Sequence, residues 1–148
     1  MQLQDILTLS RTSFHANISS KKKMLEYIAQ MVSNDNPQIQ SHDVFDALIE
    51  REKLGSTGIG HGVALPHCRL KMIESAMAVL VLLENSFDYG SLDKQPVDIV
   101  VAVLVPEEAT EMHLELLSML AKKLSNPLVR EQIRHASDKE TLFKFATA

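Results

Sequence analysis

Two short stretches of this chain, Ala76 to Leu83 and Ile99 to Val105, contain no polar side chain. Both are rich in valine or leucine, and the second lies between Pro96 and Pro106. A strand with one wet face alternates apolar and polar residues, whereas an unbroken apolar run this short fits a strand buried on both faces. A sheet built on two such strands needs helices against each side. The longer run has eight residues, far short of the roughly 20 that span a bilayer, so no membrane insertion is expected.

The rest of the chain supplies those helices. Ser20 suits the N-cap of a helix in which Met24, Leu25, Ile28, Met31 and Val32 recur at helical spacing, stopped by Asn34 to Pro37. Ser41 or Asp43 opens a second, with Val44, Phe45, Leu48 and Ile49 on one face and its end near Gly55. A third is expected from about Thr110 to Leu124, turning Leu114, Leu117, Ala121 and Leu124 inward. Asn126-Pro127 reads as the cap and first residue of a fourth, and Ser137 to Glu140 as a capping box before Leu142, Phe143 and Phe145. A short strand is expected around Val63 to Leu65, and a turn-rich excursion from Asn85 to Gln95. Alternating helices and strands point to an α/β fold, a three-layer α/β/α sandwich, without revealing strand order. The 148 residues are expected to form one domain, 1–148.

Charge narrows the function classes. The net charge is −4, and no basic stretch exceeds Lys21 to Lys23, which argues against a nucleic-acid partner. Those three lysines sit at a helix start and read as a solvated face. Cys68 is the only cysteine, so no internal disulfide can form, and Met1 to Ser10 lacks a signal pattern. A cytoplasmic location is expected.

Of the five glycines, four are Gly55, Gly58, Gly60 and Gly62. Such clustering suggests a loop with unusual dihedrals or a close backbone approach, and its amides could form an anion nest. A plain surface turn is the competing reading. The P-loop pattern fails, because Gly60 is followed by His61 and Gly62 rather than lysine and a hydroxyl residue. Directly after the cluster, Pro66 fixes its own φ ahead of His67, which presets the position of a potential nucleophile.

The segment Arg51-Glu52-Lys53-Leu54-Gly55-Ser56-Thr57-Gly58-Ile59-Gly60-His61-Gly62-Val63-Ala64-Leu65-Pro66-His67 resembles the active-site signature of the fructose/mannitol-type IIA components of the bacterial phosphotransferase system. It is most similar to the nitrogen-related branch. Pro96-Val97-Asp98, Val105-Pro106 and His113-Leu114 followed by Leu117 resemble the family's second half in order and spacing. The resemblance implies a mixed sheet and a phosphoryl group carried on His67, accepted from an HPr-like (NPr) phosphocarrier. It implies that His113 lies beside His67 and that Arg51 serves the site. Gly55, Ser56, Thr57, Gly58 and Gly60 would form the phosphate-binding loop. Cys68 departs from the small residue common in the family.

The residue types suit that chemistry. A neutral imidazole is nucleophilic at physiological pH, and arginine offers a charged fork for phosphate oxygens. Phosphoryl transfer asks mainly for positioning and charge stabilisation, so the scheme needs no cofactor and no metal. His61, His67, Cys68 and His113 are competent zinc donors, but their spacing matches no structural-zinc pattern. Arg51 could instead be a helix-end cation, and Cys68 a thiol nucleophile. His15, His42 and His135 carry no signal. The expected role is a phosphorylation-dependent nitrogen or metabolic regulator acting on target proteins. The alternative is a sugar-specific subunit that donates phosphate to a permease IIB domain. The absence of an attached IIB, IIC or phosphocarrier segment favours the regulator.

Overall fold

In the computed structural model, which describes residues 1–109 and 111–148, the two apolar runs lie side by side in a mixed sheet of six strands. The strands are β1 (Thr12–Ala16), β2 (Gly58–Gly60), β3 (Val63–Ala64), β4 (His67–Leu70), β5 (Met77–Phe87) and β6 (Val97–Pro106). Their order is β1-β5-β6-β3-β2, and β4 also pairs with β6. β5 and β6 run antiparallel, with Val79 opposite Ala102 and Val81 opposite Val100. β1 is parallel to β5, and both β3 and β4 are parallel to β6.

Alternation along these strands divides the core. Val79, Val81 and Leu83 of β5, with Val100, Ala102 and Leu104 of β6, pack against α2 (Lys21–Asp35) and α3 (Ser41–Lys53). Ala78, Leu80 and Leu82, with Ile99, Val101 and Val103, face the other way. There they meet α1 (Leu3–Ile6), α4 (Glu111–Ser125), α5 (Pro127–Arg134) and α6 (Lys139–Thr147). Fully burying each such valine or leucine is worth about 1.5–3 kcal/mol, so covering both faces explains why these runs tolerate no polar residue. The fold is a three-layer α/β/α sandwich, as the apolar runs predict. Among the described residues, no helix is long and apolar enough to cross a membrane.

Ser20 caps α2 by accepting from Lys23 N at 3.2 Å, and Asn126 caps α5 by accepting from Leu128 N at 2.9 Å. Other boundaries differ from expectation. The capping box of α6 lies one residue later, between Asp138 and Thr141, because the aspartate carboxylate takes Thr141 N at 2.8 Å. The residue at the α3 cap is Gln40, and it makes no side-chain cap bond. The helix expected from about Thr110 is described from Glu111; Thr110 lies outside the described residues. Its inner face is Leu116, Leu120 and Leu124, whereas Leu114 is exposed. Of the expected inner residues, Leu124 is buried and Leu117 and Ala121 pack against the same core, so only Leu114 is misplaced; the 3.6-residue period cannot choose between adjacent stripes when leucines occupy both. β5 continues to Phe87, into the stretch expected to turn, since sheet pairing with Val97 outweighs the local turn composition. β1 has too mixed a pattern to be read as a strand.

Candidate functional site

The site forms where the strand edge beside β6 is interrupted. β3 pairs with Ile99 and Val100, β4 resumes opposite Val103, and the step between them is Leu65-Pro66. Pro66 has no amide hydrogen, but its carbonyl still accepts from Val103 N at 2.9 Å. Leu65 N turns to the glycine segment and donates to Thr57 O at 2.9 Å. His67 is thus the first residue of β4, anchored on one side by the sheet and on the other by the loop.

The His67 ring is partly buried, and Nδ1 lies 2.8 Å from the carbonyl oxygen of Leu65. A carbonyl can only accept, so Nδ1 carries the proton and Nε2 keeps its lone pair. Burial pushes the His67 pKa below the ordinary histidine value. The Leu65 carbonyl opposes that shift, the Arg51 charge adds to it, and the Glu52 charge opposes it. The ring is therefore neutral at physiological pH.

Arg51, His67 and His113 line one groove of about 570 Å³. Leu54, Leu114 and Leu117 give its wall an apolar character. His67 and Arg51 also border a smaller cavity of about 280 Å³ with Ser56, Thr57 and Ile59. Arg51 reaches this position from the last turn of α3, where its Nη1 donates to Gly55 O at 3.0 Å. His113 comes from the first turn of α4. Arg69 of β4 ties the segment leading into that helix, donating to Glu107 O at 3.1 Å and Ala109 O at 3.4 Å. The structure thus brings together the three side chains that the sequence singles out.

The glycine segment corrects an expectation. Gly55 N donates to Glu52 O, Thr57 N to the Glu52 carboxylate and Gly58 N to Ser56 Oγ. Gly58 and Gly60 belong to β2. These amides are engaged within the protein, so Gly55, Thr57 and Gly58 do not form the open anion nest that clustering suggests. Glycine at 58 has a different cause: a Cβ there would collide with the Ser91 side chain. Gly62 has φ +81°, and a Cβ on it would press on Arg134, which holds Asp98 and the His61 carbonyl. Ser56 and Thr57 still border the smaller cavity.

Sequence reasoning missed a buried polar group behind the site. The Glu52 carboxylate accepts from Lys21 Nζ at 2.8 Å, Tyr89 OH at 3.0 Å, and both the amide and hydroxyl of Thr57. Burial alone would raise its pKa, but hydrogen bonds from Lys21, Thr57 and Tyr89, with the Lys21 charge, hold it below the ordinary glutamate value. Lys21 also lies over the Tyr89 ring, 4.5 Å from its centroid, so it is not the solvated lysine expected at a helix start. The partners are 31 and 37 residues from Glu52, a separation that leaves no local signal. Cys68 is buried and its thiol pKa is pushed up to about 12, which makes it a poor nucleophile. Among the described residues, no cluster of three or more histidine, cysteine, aspartate or glutamate side chains is arranged to hold a metal.

Comparison with known proteins shows the family and the fold. Residues 5–147 match the family described as phosphoenolpyruvate-dependent sugar phosphotransferase system, EIIA 2. The nitrogen regulatory protein of Pseudomonas aeruginosa is 42% identical over 144 residues, covering 97% of this chain and 94% of that one. The crystal structure of nitrogen regulatory protein IIA-Ntr from Neisseria meningitidis superposes with a TM-score of 0.90 at 36% identity, covering 97% of both chains. The mannitol IIA structure from Escherichia coli has a TM-score of 0.77 and covers 94% of this chain and 97% of its own. At 15% identity that likeness concerns the fold alone. The chain belongs to the EIIA 2 family of the phosphoenolpyruvate-dependent sugar phosphotransferase system, in its nitrogen-regulatory branch.

Proposed function

We propose that this protein accepts a phosphoryl group on Nε2 of His67 from a histidine-phosphorylated, HPr-like phosphocarrier and acts as a phosphorylation-dependent regulator. The observation that carries the reading is the 2.8 Å contact between His67 Nδ1 and Leu65 O, which leaves Nε2 as the nucleophile in a neutral ring. In the step itself the Nε2 lone pair attacks phosphorus, and the nitrogen–phosphorus bond of the donor breaks. The donor ring departs neutral with its remaining N–H. His67 keeps its Nδ1 proton, so its ring becomes cationic while carrying a dianionic phosphoryl group. The Leu65 carbonyl then faces a positive N–H, and that bond strengthens as charge develops.

Arg51 supplies fixed positive charge at the groove that the phosphoryl group would enter, and His113 a further ring nitrogen from the opposite helix. Unit charges 4 Å apart attract by about 4 kcal/mol near a protein surface, so one arginine is a substantial contribution. Similarity to nitrogen regulatory proteins supports the regulatory role over transfer to a sugar permease.

The test is incubation of the purified protein with a phosphorylated phosphocarrier, followed by phosphorus NMR and mass analysis. One acid-labile phosphate on His67 Nε2, lost in His67→Ala, is expected. Labelling of the His67→Ala protein at another histidine or at Cys68 would defeat the assignment.

A further inference from the structure

We propose that Glu52 is the positioning residue of this site, holding Thr57 so that Leu65 keeps His67 in the tautomer that aims its Nε2 lone pair into the groove. The inference rests on reading His67 as the acceptor and adds a residue to it. Glu52 is nearly inaccessible, with a side-chain exposure of 5%, and Thr57 is 4% exposed. The carboxylate grips Thr57 by both its amide and its hydroxyl. Thr57 O then takes Leu65 N at 2.9 Å, and Leu65 O takes His67 Nδ1 at 2.8 Å.

The Leu65 carbonyl needs this help because the peptide that contains it has proline as its nitrogen. No amide hydrogen of that peptide unit can fix the carbonyl's direction. Its orientation is set from its two neighbours: Val103 N on Pro66 O from the sheet, and Leu65 N on Thr57 O from the loop. Glu52 governs the second. If the loop slackens, the carbonyl swings, and the neutral ring is free to place its proton on Nε2, where it blocks attack. A buried ion pair is weak evidence of a purely stabilising role, since well-packed apolar residues often serve a fold as well or better. Lys21 and Tyr89 keep this one charged and immobile. Arg51, its neighbour on α3, works at the groove while Glu52 works behind it.

Long-range proton–nitrogen NMR of the His67 ring, at a pH where the ring is neutral, reads the tautomer without any phosphoryl donor. Phosphoryl acceptance from an HPr-type phosphocarrier gives the second readout, taken where each variant is fully folded. The wild type is expected to hold one tautomer, with hydrogen on Nδ1. Glu52→Gln and Thr57→Val are expected to show a mixture, with acceptance at saturating donor slowed about ten-fold or more, as for other small misplacements of a reacting group. The donor KM should change little, and Thr57→Ser, which keeps the hydroxyl, should recover much of what Thr57→Val loses. A single unchanged tautomer in the folded variants overturns the proposal, and so does slower transfer without a tautomer change. Should Glu52→Gln fail to fold, Thr57→Val decides by the same criteria, because it leaves the Lys21–Glu52 pair in place. A wild type that takes no phosphate on His67 would end the acceptor reading, while the tautomer comparison would still judge Glu52.

Discussion

His67 Nδ1 and Leu65 O face each other at 2.8 Å across the intervening Pro66. This contact commits one ring nitrogen to the backbone and frees the other for chemistry. Burial lowers the His67 pKa more than the Leu65 carbonyl raises it, with the Arg51 charge adding to the shift and Glu52 opposing it, so the ring protonates below the ordinary value of about 6.5. Phosphoryl acceptance should therefore be flat from neutral pH upward and fall only on the acid side. Single-turnover rates against pH check this. An acid limb centred above about pH 7 would contradict the burial of the ring.

Arg51 and His113 are expected to act on the charged phosphoryl group rather than on the fold. Losing a hydrogen bond to a charged partner costs about 1.5–3 kcal/mol. In the transition state that is roughly a ten-fold to more than hundred-fold slowing. Arg51→Ala and His113→Ala should show such losses with melting temperatures close to wild type. Unchanged rates, or losses that track unfolding, would assign both residues to structure.

Acid stability should report on Glu52 and Asp35. Asp35 is held below the ordinary range chiefly by a hydrogen bond from Ser10, which outweighs its partial burial, and by Arg11. Glu52 is lowered by Lys21, Thr57 and Tyr89 despite its burial. A carboxyl with a depressed folded pKa stabilises the protein above its unfolded pKa, and that contribution vanishes as pH falls through the folded value. Urea midpoints should hold near neutrality and drop below about pH 4.5. Glu52→Gln should be less stable at pH 7, by about 1–3 kcal/mol, with a shallower acid decline. An equal decline in both proteins would show that Glu52 stays no more ionised in the fold than in the unfolded chain.

Much of this architecture is legible in the amino-acid sequence. The runs at Ala76 and Ile99 announce a sheet covered on both sides, and the segment from Arg51 to His67 supplies two residues of the candidate groove. What escapes is whatever depends on distant pairing. Leu114 and Leu116 compete for the inside of α4, and only the sheet beneath decides between them. Phe87 is drawn into β5 by Val97. The bonds from Lys21 and Tyr89 to Glu52 join three segments that share no periodicity. The glycines are conspicuous in sequence, but their cause lies partly in Ser91 and Arg134, far along the chain.

Phosphorylation of His67 is expected to switch partner binding. Leu54 is 84% exposed, Leu114 56% and Ile59 40%. Leu54 and Leu114 flank the larger groove and Ile59 the smaller cavity, so His67 lies amid an apolar collar interrupted by the charged Glu50, Arg51 and Arg69. Such a collar suits a partner surface that is itself apolar and excludes water. A phosphoryl group places about two negative charges at its centre. An apolar partner would then have to desolvate those charges, whereas an arginine-bearing partner would gain charge-assisted bonds. The fold need not change for the partner set to change. Capture from cell extract with unphosphorylated protein, phosphorylated protein and His67→Ala should yield different sets for the first two, with His67→Ala resembling the unphosphorylated form. Leu54→Glu should weaken capture by the unphosphorylated form, because it puts a charge in the collar without touching His67. Identical sets in all three, together with efficient transfer to a sugar-specific IIB domain, would replace the switch with a transport role.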